Sequence, residues 1–173
     1  RPPDVIHDLL TTILADRLRT EGKDVVETQE PGGTEIGRQI RQILLSSDNQ
    51  SLCPTAEMLL YFAARAQNFD ERILPAWEQG AYVLSDRFTD STLAYQGHGR
   101  GLGTNVVMTL HDIACHGLQP DLTICIDIDV DTVRTGLVGG GFMGRVHAAP
   151  ARRGGAQLTA VPASGPGRAV AVA

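Results

Sequence analysis

Short apolar segments alternate along this sequence with longer amphipathic ones, and this alternation constrains the fold more than any other feature. Residues 23–28, 81–85 and 122–128 are short, rich in β-branched or other apolar side chains, and typical of buried strands. The segments between them are long enough to hold helices of ten or more residues. Strands that alternate with helices of this length predict an α/β fold, in which a parallel sheet is flanked by helices.

Three helices are predicted from the spacing of apolar side chains. The first covers residues 11–20 and is followed by Gly22, a residue that commonly ends helices. The second is indicated by isoleucine and leucine side chains that recur at helical spacing over residues 36–44. The third covers residues 55–68, with Thr55 as its N-cap.

Composition and cysteine usage describe a soluble domain in a reducing compartment. The chain has 173 residues, of which 42% are hydrophobic and 20% charged, and its apolar runs are much shorter than the roughly 20 residues that span a bilayer. Cys53, Cys115 and Cys125 form no C-x-x-C pair, which argues against a disulfide framework or a zinc site and predicts a cytoplasmic protein. Because the first residue is Arg1 rather than Met, we expect the chain to be a piece of a longer reading frame.

Charge divides the chain at residue 131. Residues 1–131 hold all 20 acidic residues and ten of the 15 basic ones, whereas residues 132–173 carry a net charge of +5 and are half glycine, alanine and proline. This tail is either a flexible basic arm that contacts nucleic acid or phosphates, or a disordered or non-native extension. We favour the extension, because the acidic body would repel a nucleic acid and no specific nucleic-acid partner is expected.

Two motifs follow strand ends, where parallel sheets place their ligand crevices. The first is E-P-G-G-T at residues 30–34, in which proline and glycine end the strand. The second is Asp86 followed by Arg87, directly after the strand at residues 81–85. Arg87 offers a planar set of donors suited to a phosphate, and Asp86 could hold an arginine or approach a metal through water. The alternative is a structural ion pair.

Helical spacing brings an aromatic ring beside a guanidinium on the third helix. Tyr61 and Arg65 lie at i and i+4, an arrangement that could sandwich a base and bond its carbonyl edge. Core packing is the alternative for Tyr61 and Phe62, but Arg65 would need a charged partner if it were buried. Arg41 either lies on a solvated helix face or supplies a second phosphate contact.

These motifs together resemble bacterial thymidylate kinases, which belong to the nucleoside monophosphate kinases. T-Q-E-P-G-G-T at residues 28–34 is similar to the family's T-R-E-P-G-G-T. F-A-A-R-A-Q at 62–67 and D-R-F-T-D-S-T-L-A-Y-Q-G at 86–97 match two further family motifs. P-D-L-T at 120–123 looks like the strand that precedes the family's lid. The resemblance covers roughly residues 11–131 and implies a P-loop NTPase-like fold.

The resemblance implies a reaction, a cofactor and partners. Thymidylate kinases transfer the γ-phosphoryl group of ATP to dTMP and give dTDP for dTTP synthesis, with Mg²⁺ bridging the phosphates. The implied partners are therefore dTMP and ATP, with no membrane partner. The family commonly forms homodimers through helices and is cytoplasmic.

The same resemblance implies which residues form the dTMP pocket. Tyr61 would stack on thymine, Arg65 would bond a base carbonyl, and Thr92 would face the base edge. Which of Tyr61 and Phe62 stacks on the base stays open, because Tyr61 is favoured only if the helix is regular there. Tyr95 would lie beneath the sugar and disfavour a ribose 2′-hydroxyl.

Phosphate binding and catalysis are implied for a second group of residues. Arg41 and Arg87 would hold the dTMP phosphate, and Asp86 would help to order Arg87 and the Mg²⁺ ion. Arg87 and Asp86 are thus the implied catalytic pair. The remaining members implied for the pocket are Pro31, Phe62, Ser91 and Gln96.

The sequence departs from the family pattern in three places. It contains no G-x-x-x-x-G-K-[ST] motif, so no ATP-binding residue is identified. Gln29 stands where the family has arginine, and the segment after Asp131 lacks the periodicity of an arginine-rich lid helix. We therefore expect a nearly complete acceptor half, and the alternative to an active kinase is an inactive truncated homologue that at most binds dTMP.

Overall fold

A computed structural model describes residues 3–125 and 168–172 of the chain. Within these residues there are four strands, β1 (Val25–Gln29), β2 (Tyr82–Asp86), β3 (Leu122–Ile124) and β4 (Arg168–Val172). The same residues form six α-helices, α1 (Pro3–Thr20), α2 (Glu35–Leu45), α3 (Pro54–Asn68), α4 (Leu74–Glu78), α5 (Thr89–Thr92) and α6 (Thr104–Cys115). Short π-helical segments extend α3 and α5, at Phe69–Ile73 and Leu93–Gly99. None of these described helices is both long and apolar enough to cross a membrane.

The four strands form one parallel sheet, which confirms the predicted α/β fold. Their order is β1-β2-β4-β3, and every neighbouring pair is parallel. Gln29 pairs with Asp86 at the end of β1 and β2, so the two strands finish at the same level. The Glu30 amide donates to the Asp86 carbonyl at 3.0 Å, which holds the two predicted motifs side by side.

Strand β4 was not predicted. It comes from the tail at residues 132–173, of which the structure describes only residues 168–172, and there the backbone pairs with both β2 and β3. These five residues form a strand, and the remainder of the tail predicted to be a disordered or non-native extension lies outside the described residues. Their sequence, R-A-V-A-V, alternates valine with alanine, and β-branched valines favour strands. The strand was missed because the prediction used the average composition of residues 132–173, in which this short segment has little weight.

Helix and strand boundaries differ from the predictions at several positions. Helix α1 begins at Pro3, eight residues before the predicted start at residue 11. Cys53, not Thr55, is the N-cap of α3, because Pro54 occupies the first turn, where a missing amide donor costs nothing. Of the strand predicted over residues 122–128, only the part up to residue 125 lies within the described residues.

The core lies where α3, α6 and the sheet meet. Phe62 on α3 and Val107 on α6 are 4% and 0% exposed, and the strand residue Val83 is 1% exposed. Other members are Met58, Phe69, Ile73, Ala76, Ala81, Phe88, Ala114 and Cys115. This core holds α3 against the carboxyl end of the sheet, where both predicted motifs lie.

The three cysteines should react with thiol reagents in two classes. Cys53 and Cys125 are exposed, whereas Cys115 is buried, and its burial, aided by the Glu30 carboxylate, raises the pKa of its thiol to about 12. Because the thiolate is the reactive form, we expect a disulfide-exchange reagent at pH 8 to modify two thiols in the native chain. All three should react in guanidinium chloride. Rapid modification of three thiols without denaturant would contradict the described packing.

Candidate active site

A helix cap and a glycine with positive φ shape the loop after β1. The Thr34 hydroxyl accepts a hydrogen bond from the Gly37 amide at 3.0 Å and so caps α2. Gly32 has φ of +126°, a conformation that side chains other than glycine rarely adopt. The loop therefore turns sharply at the end of the sheet and directs its backbone across the neighbouring Asp86.

A buried arginine lies at the centre of the site. Arg65 donates from Nε to Glu30 Oε2 at 2.5 Å, from Nη2 to Thr92 Oγ1 at 2.9 Å, and from Nη1 to Thr89 Oγ1 at 3.4 Å. The side chains of Arg65 and Glu30 are only 2% and 3% exposed. The expectation that a buried Arg65 needs a charged partner is thus met by Glu30. The sequence had not indicated Glu30 for this role.

Two aromatic rings enclose the Arg65 guanidinium. Its central carbon lies 4.8 Å from the centroid of the Phe62 ring and 5.2 Å from that of Phe88. Cation–π contacts of this kind are worth more when the charge is desolvated. The 4% exposure of Phe62 shows that this ring is part of the core, whereas Tyr61 is only half-buried.

The aromatic and basic residues predicted for the acceptor pocket come together around Tyr61. Burial and the Glu57 carboxylate raise the pKa of the Tyr61 hydroxyl, and the nearby positive charges of Arg87 and Arg41 oppose that rise. The Arg87 guanidinium lies 5.9 Å from the centroid of the Tyr95 ring. Two rings and two guanidinium groups thus lie near one another, a combination that suits a ligand with both a planar and an anionic part.

The backbone positions the two arginines. Arg41 donates from Nη1 to the Pro31 carbonyl at 2.8 Å, so the E-P-G-G-T loop orients it. Arg87 has φ of +68°, and the Ser85 hydroxyl donates to its carbonyl at 2.7 Å. A residue other than glycine in this left-handed conformation carries strain, and such strain often occurs at functional sites.

Glu57 is a site residue that the sequence did not indicate. Its Oε1 accepts from Gln96 Nε2 at 2.8 Å, and its Oε2 accepts from Arg100 Nη2 at 2.6 Å. Glu57 and Gln96 are 6% and 3% exposed. Gln96, predicted to line the pocket, is therefore oriented by a buried carboxylate. The sequence feature that could have indicated Glu57 is its position as a charged residue on the apolar side of a helix.

A cleft of about 300 Å³ opens where β1 and β2 end. Asp86 lines it together with the backbone of Gly32 and Gly33. Thr11 lies on the α1 side, and its buried hydroxyl has no hydrogen-bond partner among the described residues. The other lining residues are Thr12, Glu27, Thr28, Gln29, Arg38 and Arg72.

Comparison with known proteins identifies the family. Residues 8–136 match the family model described as thymidylate kinase. The chain belongs to the thymidylate kinase family. The family inferred from the motifs at residues 28–34, 62–67 and 86–97 is therefore confirmed.

The chain is similar in sequence to thymidylate kinases of several bacteria. The chain is 54% identical over 118 residues to the thymidylate kinase of Pelobacter propionicus, covering 68% of this chain and 54% of that protein. It is 42% identical over 135 residues to the enzyme of Exiguobacterium, covering 78% and 64%. The chain thus spans between about half and two-thirds of the length of these curated relatives.

A solved thymidylate kinase supports the same fold. The crystal structure of the enzyme from Ehrlichia chaffeensis superposes with a TM-score of 0.63 at 34% identity. The match covers 84% of this chain and 75% of that one. The P-loop NTPase-like fold expected from the resemblance is therefore supported by structure as well as by sequence.

The predicted thymidylate kinase residues occupy distinct positions in this structure. Tyr61, Arg41, Arg87 and Tyr95 approach one another, as described above. Thr92 is 2% exposed and is bonded to Arg65. Ser91 lies on α5 and is half-buried, Pro31 accepts from Arg41, and Phe62 packs in the core.

Gly33 should tolerate no side chain. A Cβ atom at Gly33 would lie 2.1 Å from Thr28 Oγ1 and 2.2 Å from Asn68 Oδ1, two atoms that share a buried hydrogen bond of 2.6 Å. We expect Gly33→Ala to lower the free energy of unfolding by about 2–3 kcal/mol, from overpacking and the broken bond. Urea denaturation would measure it.

Gly80→Ala is the matched control. This substitution also adds a methyl group, but no atom lies within 4 Å of the added Cβ at position 80. Only the φ of +78° at Gly80 disfavours the alanine. Gly80→Ala should lower the free energy of unfolding by about 1–2 kcal/mol, the usual penalty for a residue with a side chain in the left-handed conformation. If Gly33→Ala cost no more than this control, close packing at Gly33 would be refuted.

Proposed function

We propose that this chain carries the acceptor half of an enzyme that transfers the γ-phosphoryl group of ATP to dTMP, with residues 1–131 as the kinase-like domain. Family membership supports this activity. The observation that carries the proposal is the proximity of Tyr95, Arg41 and Arg87 to Tyr61. A nucleotide with one planar base and one phosphate matches this combination of rings and guanidinium groups.

We assign the base to the region between Tyr61 and Thr92. Tyr61 is half-buried and supplies a ring face, whereas Phe62 is committed to the core. Arg65 and the Thr92 hydroxyl are 2.9 Å apart, so a base edge that reaches one also reaches the other. Three of the five N–H groups of Arg65 donate to Glu30, Thr92 and Thr89 and hold its orientation.

We assign the dTMP phosphate to Arg41 and Arg87. In the reaction, an oxygen of this phosphate attacks the γ-phosphorus of ATP, the bond from that phosphorus to the β,γ-bridging oxygen breaks, and ADP leaves with the electron pair. A phosphate monoester is largely dianionic at pH 7, so no base is needed to remove a proton. The protein supplies positioning and positive charge, which is what phosphoryl transfer requires.

The cleft beside Asp86 fits the Mg²⁺ ion that kinases of this class use. The described residues contain no cluster of three metal-binding side chains. Mg²⁺ at nucleotide sites is held mainly by phosphates and water with one or two carboxylates, so a single carboxylate is sufficient. We propose that Asp86 is this carboxylate. When bound, the ion would neutralise charge on the phosphates.

We also propose that the protein forms a homodimer through α2, α3 and α6. Large apolar side chains are exposed on each of these helices, and Ile113 on α6 is 69% exposed. The others are Ile36, Ile43, Leu45, Leu59 and Val106. Sedimentation at micromolar concentration should give a dimer, and Ile113→Glu together with Ile43→Glu should give a monomer.

We propose a cytoplasmic location on the basis of the cysteines. Cys53, Cys115 and Cys125 are all free thiols in the structure. Free exposed thiols suit a reducing compartment, in which disulfides do not form.

Calorimetric titration with dTMP, and separately with Mg-ATP, tests the proposed function. We expect dTMP to bind with one site per chain in the absence of ATP. A coupled assay for ADP then tests turnover. Failure of the folded chain to bind dTMP would overturn the assignment of the acceptor site.

A further inference from the structure

His111 on α6 is a buried polar residue to which the proposed function gives no role. It is 0% exposed, and both nitrogens of its ring make hydrogen bonds. Nδ1 lies 2.7 Å from Thr89 Oγ1, and Nε2 lies 2.8 Å from Gln119 Nε2. A hydrogen bond with the Leu118 backbone is a third polar contact of the ring.

Burial and the positive charge of Arg65 keep the His111 ring neutral. Burial lowers its pKa, and the positive charge of Arg65 on α3 lowers it further. The carboxylates of Asp112 on its own helix and Asp90 on α5 raise it, as does a hydrogen bond with the Leu118 backbone, but the net direction is down. At pH 7 the ring is therefore uncharged.

Two contacts connect His111 to Arg65. The first is Thr89, whose Oγ1 also accepts from Arg65 Nη1 at 3.4 Å. The second is Phe88, whose ring lies edge-on to the imidazole with centroids 5.8 Å apart and an interplanar angle of 88°. Phe88 in turn packs against the Arg65 guanidinium at 5.2 Å. His111 thus supports the guanidinium through a hydroxyl and through a ring.

We propose that His111 is a positioning residue for the acceptor site. The ring hydrogen-bonds the Thr89 hydroxyl through Nδ1 and packs against the Phe88 ring, and through these two residues it orients Arg65 toward the base of the nucleotide. This inference rests on the proposed function, in which Arg65 contacts that base. His111 itself touches neither the nucleotide nor the reacting atoms.

Two substitutions of His111 test the role directly. In His111→Asn, the side-chain amide can still hydrogen-bond the Thr89 hydroxyl, whereas the leucine of His111→Leu cannot. We expect His111→Leu to weaken dTMP binding by about three- to tenfold, the effect of about one hydrogen bond, and His111→Asn to stay within about twofold of the unmutated chain. Calorimetry measures binding, and thermal unfolding of the same samples measures stability.

The charge of the ring gives a second measurement that needs no ligand. The ¹H–¹³C signals of the histidine rings, followed as a function of pH, report the titration of each ring. We expect the pKa of His111 to lie below 6.5, the ordinary value for histidine. A pKa above 6.5 would overturn the uncharged state of the ring.

The outcomes separate this inference from the proposed function. If the unmutated chain does not bind dTMP, the proposed function and the inference that depends on it both fail. If the unmutated chain, His111→Asn and His111→Leu all bind dTMP equally, the inference alone fails. Should His111→Leu not fold, Thr89→Val and Thr89→Ser ask the same question. Only the valine variant should lose affinity, and equal affinities would overturn the role of Thr89.

Discussion

Replacing Glu30 by alanine should lower the free energy of unfolding by about 3–5 kcal/mol, because it leaves the Arg65 charge buried without its partner. The two side chains are 3% and 2% exposed and are joined by a 2.5 Å contact, so the pair is shielded from bulk water. Urea denaturation followed by the fluorescence of Trp77, the single tryptophan, would measure the change. A variant already unfolded without urea would agree with this expectation.

The double variant Glu30→Leu with Arg65→Met is the matched control. It removes both charges and fills a similar volume with apolar atoms. It should therefore lower the free energy of unfolding clearly less than Glu30→Ala does. It should nevertheless lose dTMP binding, because the guanidinium is gone. Equal losses of stability in the single and double variants would show that the ion pair is not the source of the effect.

Replacing Arg87 by alanine should weaken dTMP binding by about ten- to a hundredfold, the usual effect of losing hydrogen bonds to a charged group. Thymidine has the same base and sugar but no phosphate. We therefore expect its affinity to change by no more than about twofold. Calorimetry with the two ligands separates a lost phosphate contact from a distorted pocket.

Arg17→Ala is the control for net charge. Arg17 lies on α1 and pairs with Glu21, and its side chain is 76% exposed. An exposed pair of this kind contributes about 0–1 kcal/mol to stability, so the variant removes one positive charge with little other effect. If Arg17→Ala weakened dTMP binding as much as Arg87→Ala, the assignment of the phosphate to Arg87 would be withdrawn. Equal losses of thymidine and dTMP binding in Arg87→Ala would have the same meaning.

Local patterns in the sequence were sufficient to predict most of the fold. Apolar spacing predicted β1, β2, α2 and α3, since burial of one helix face or of a whole strand leaves a periodic record in the sequence. The boundaries were less accurate. The N-cap of α3 moved to Cys53 because Pro54 fits the first helical turn, a preference that outweighed the threonine at position 55.

Contacts in the site between residues far apart in the chain could not be predicted from local sequence patterns. The need of Arg65 for a partner was predictable from its apolar neighbours, but the identity of Glu30, 35 residues earlier, depends on the packing of α3 against the sheet. The pairing of Glu57 with Gln96 spans 39 residues and was missed for the same reason. His111 was missed because a lone histidine on a helix carries no recognisable spacing.

Strand β4 has a consequence for the time at which the sheet can form. Its residues, 168–172, lie between β2 and β3 in space, although β2 ends at residue 86 and β3 at residue 124. Until residue 172 has left the ribosome, the facing edges of β2 and β3 lack the strand that lies between them in the sheet. The position between β2 and β3 is therefore the last of the four to be filled. Closing contacts of such high sequence separation is slow, and unpaired strand edges are exposed to aggregation during that delay.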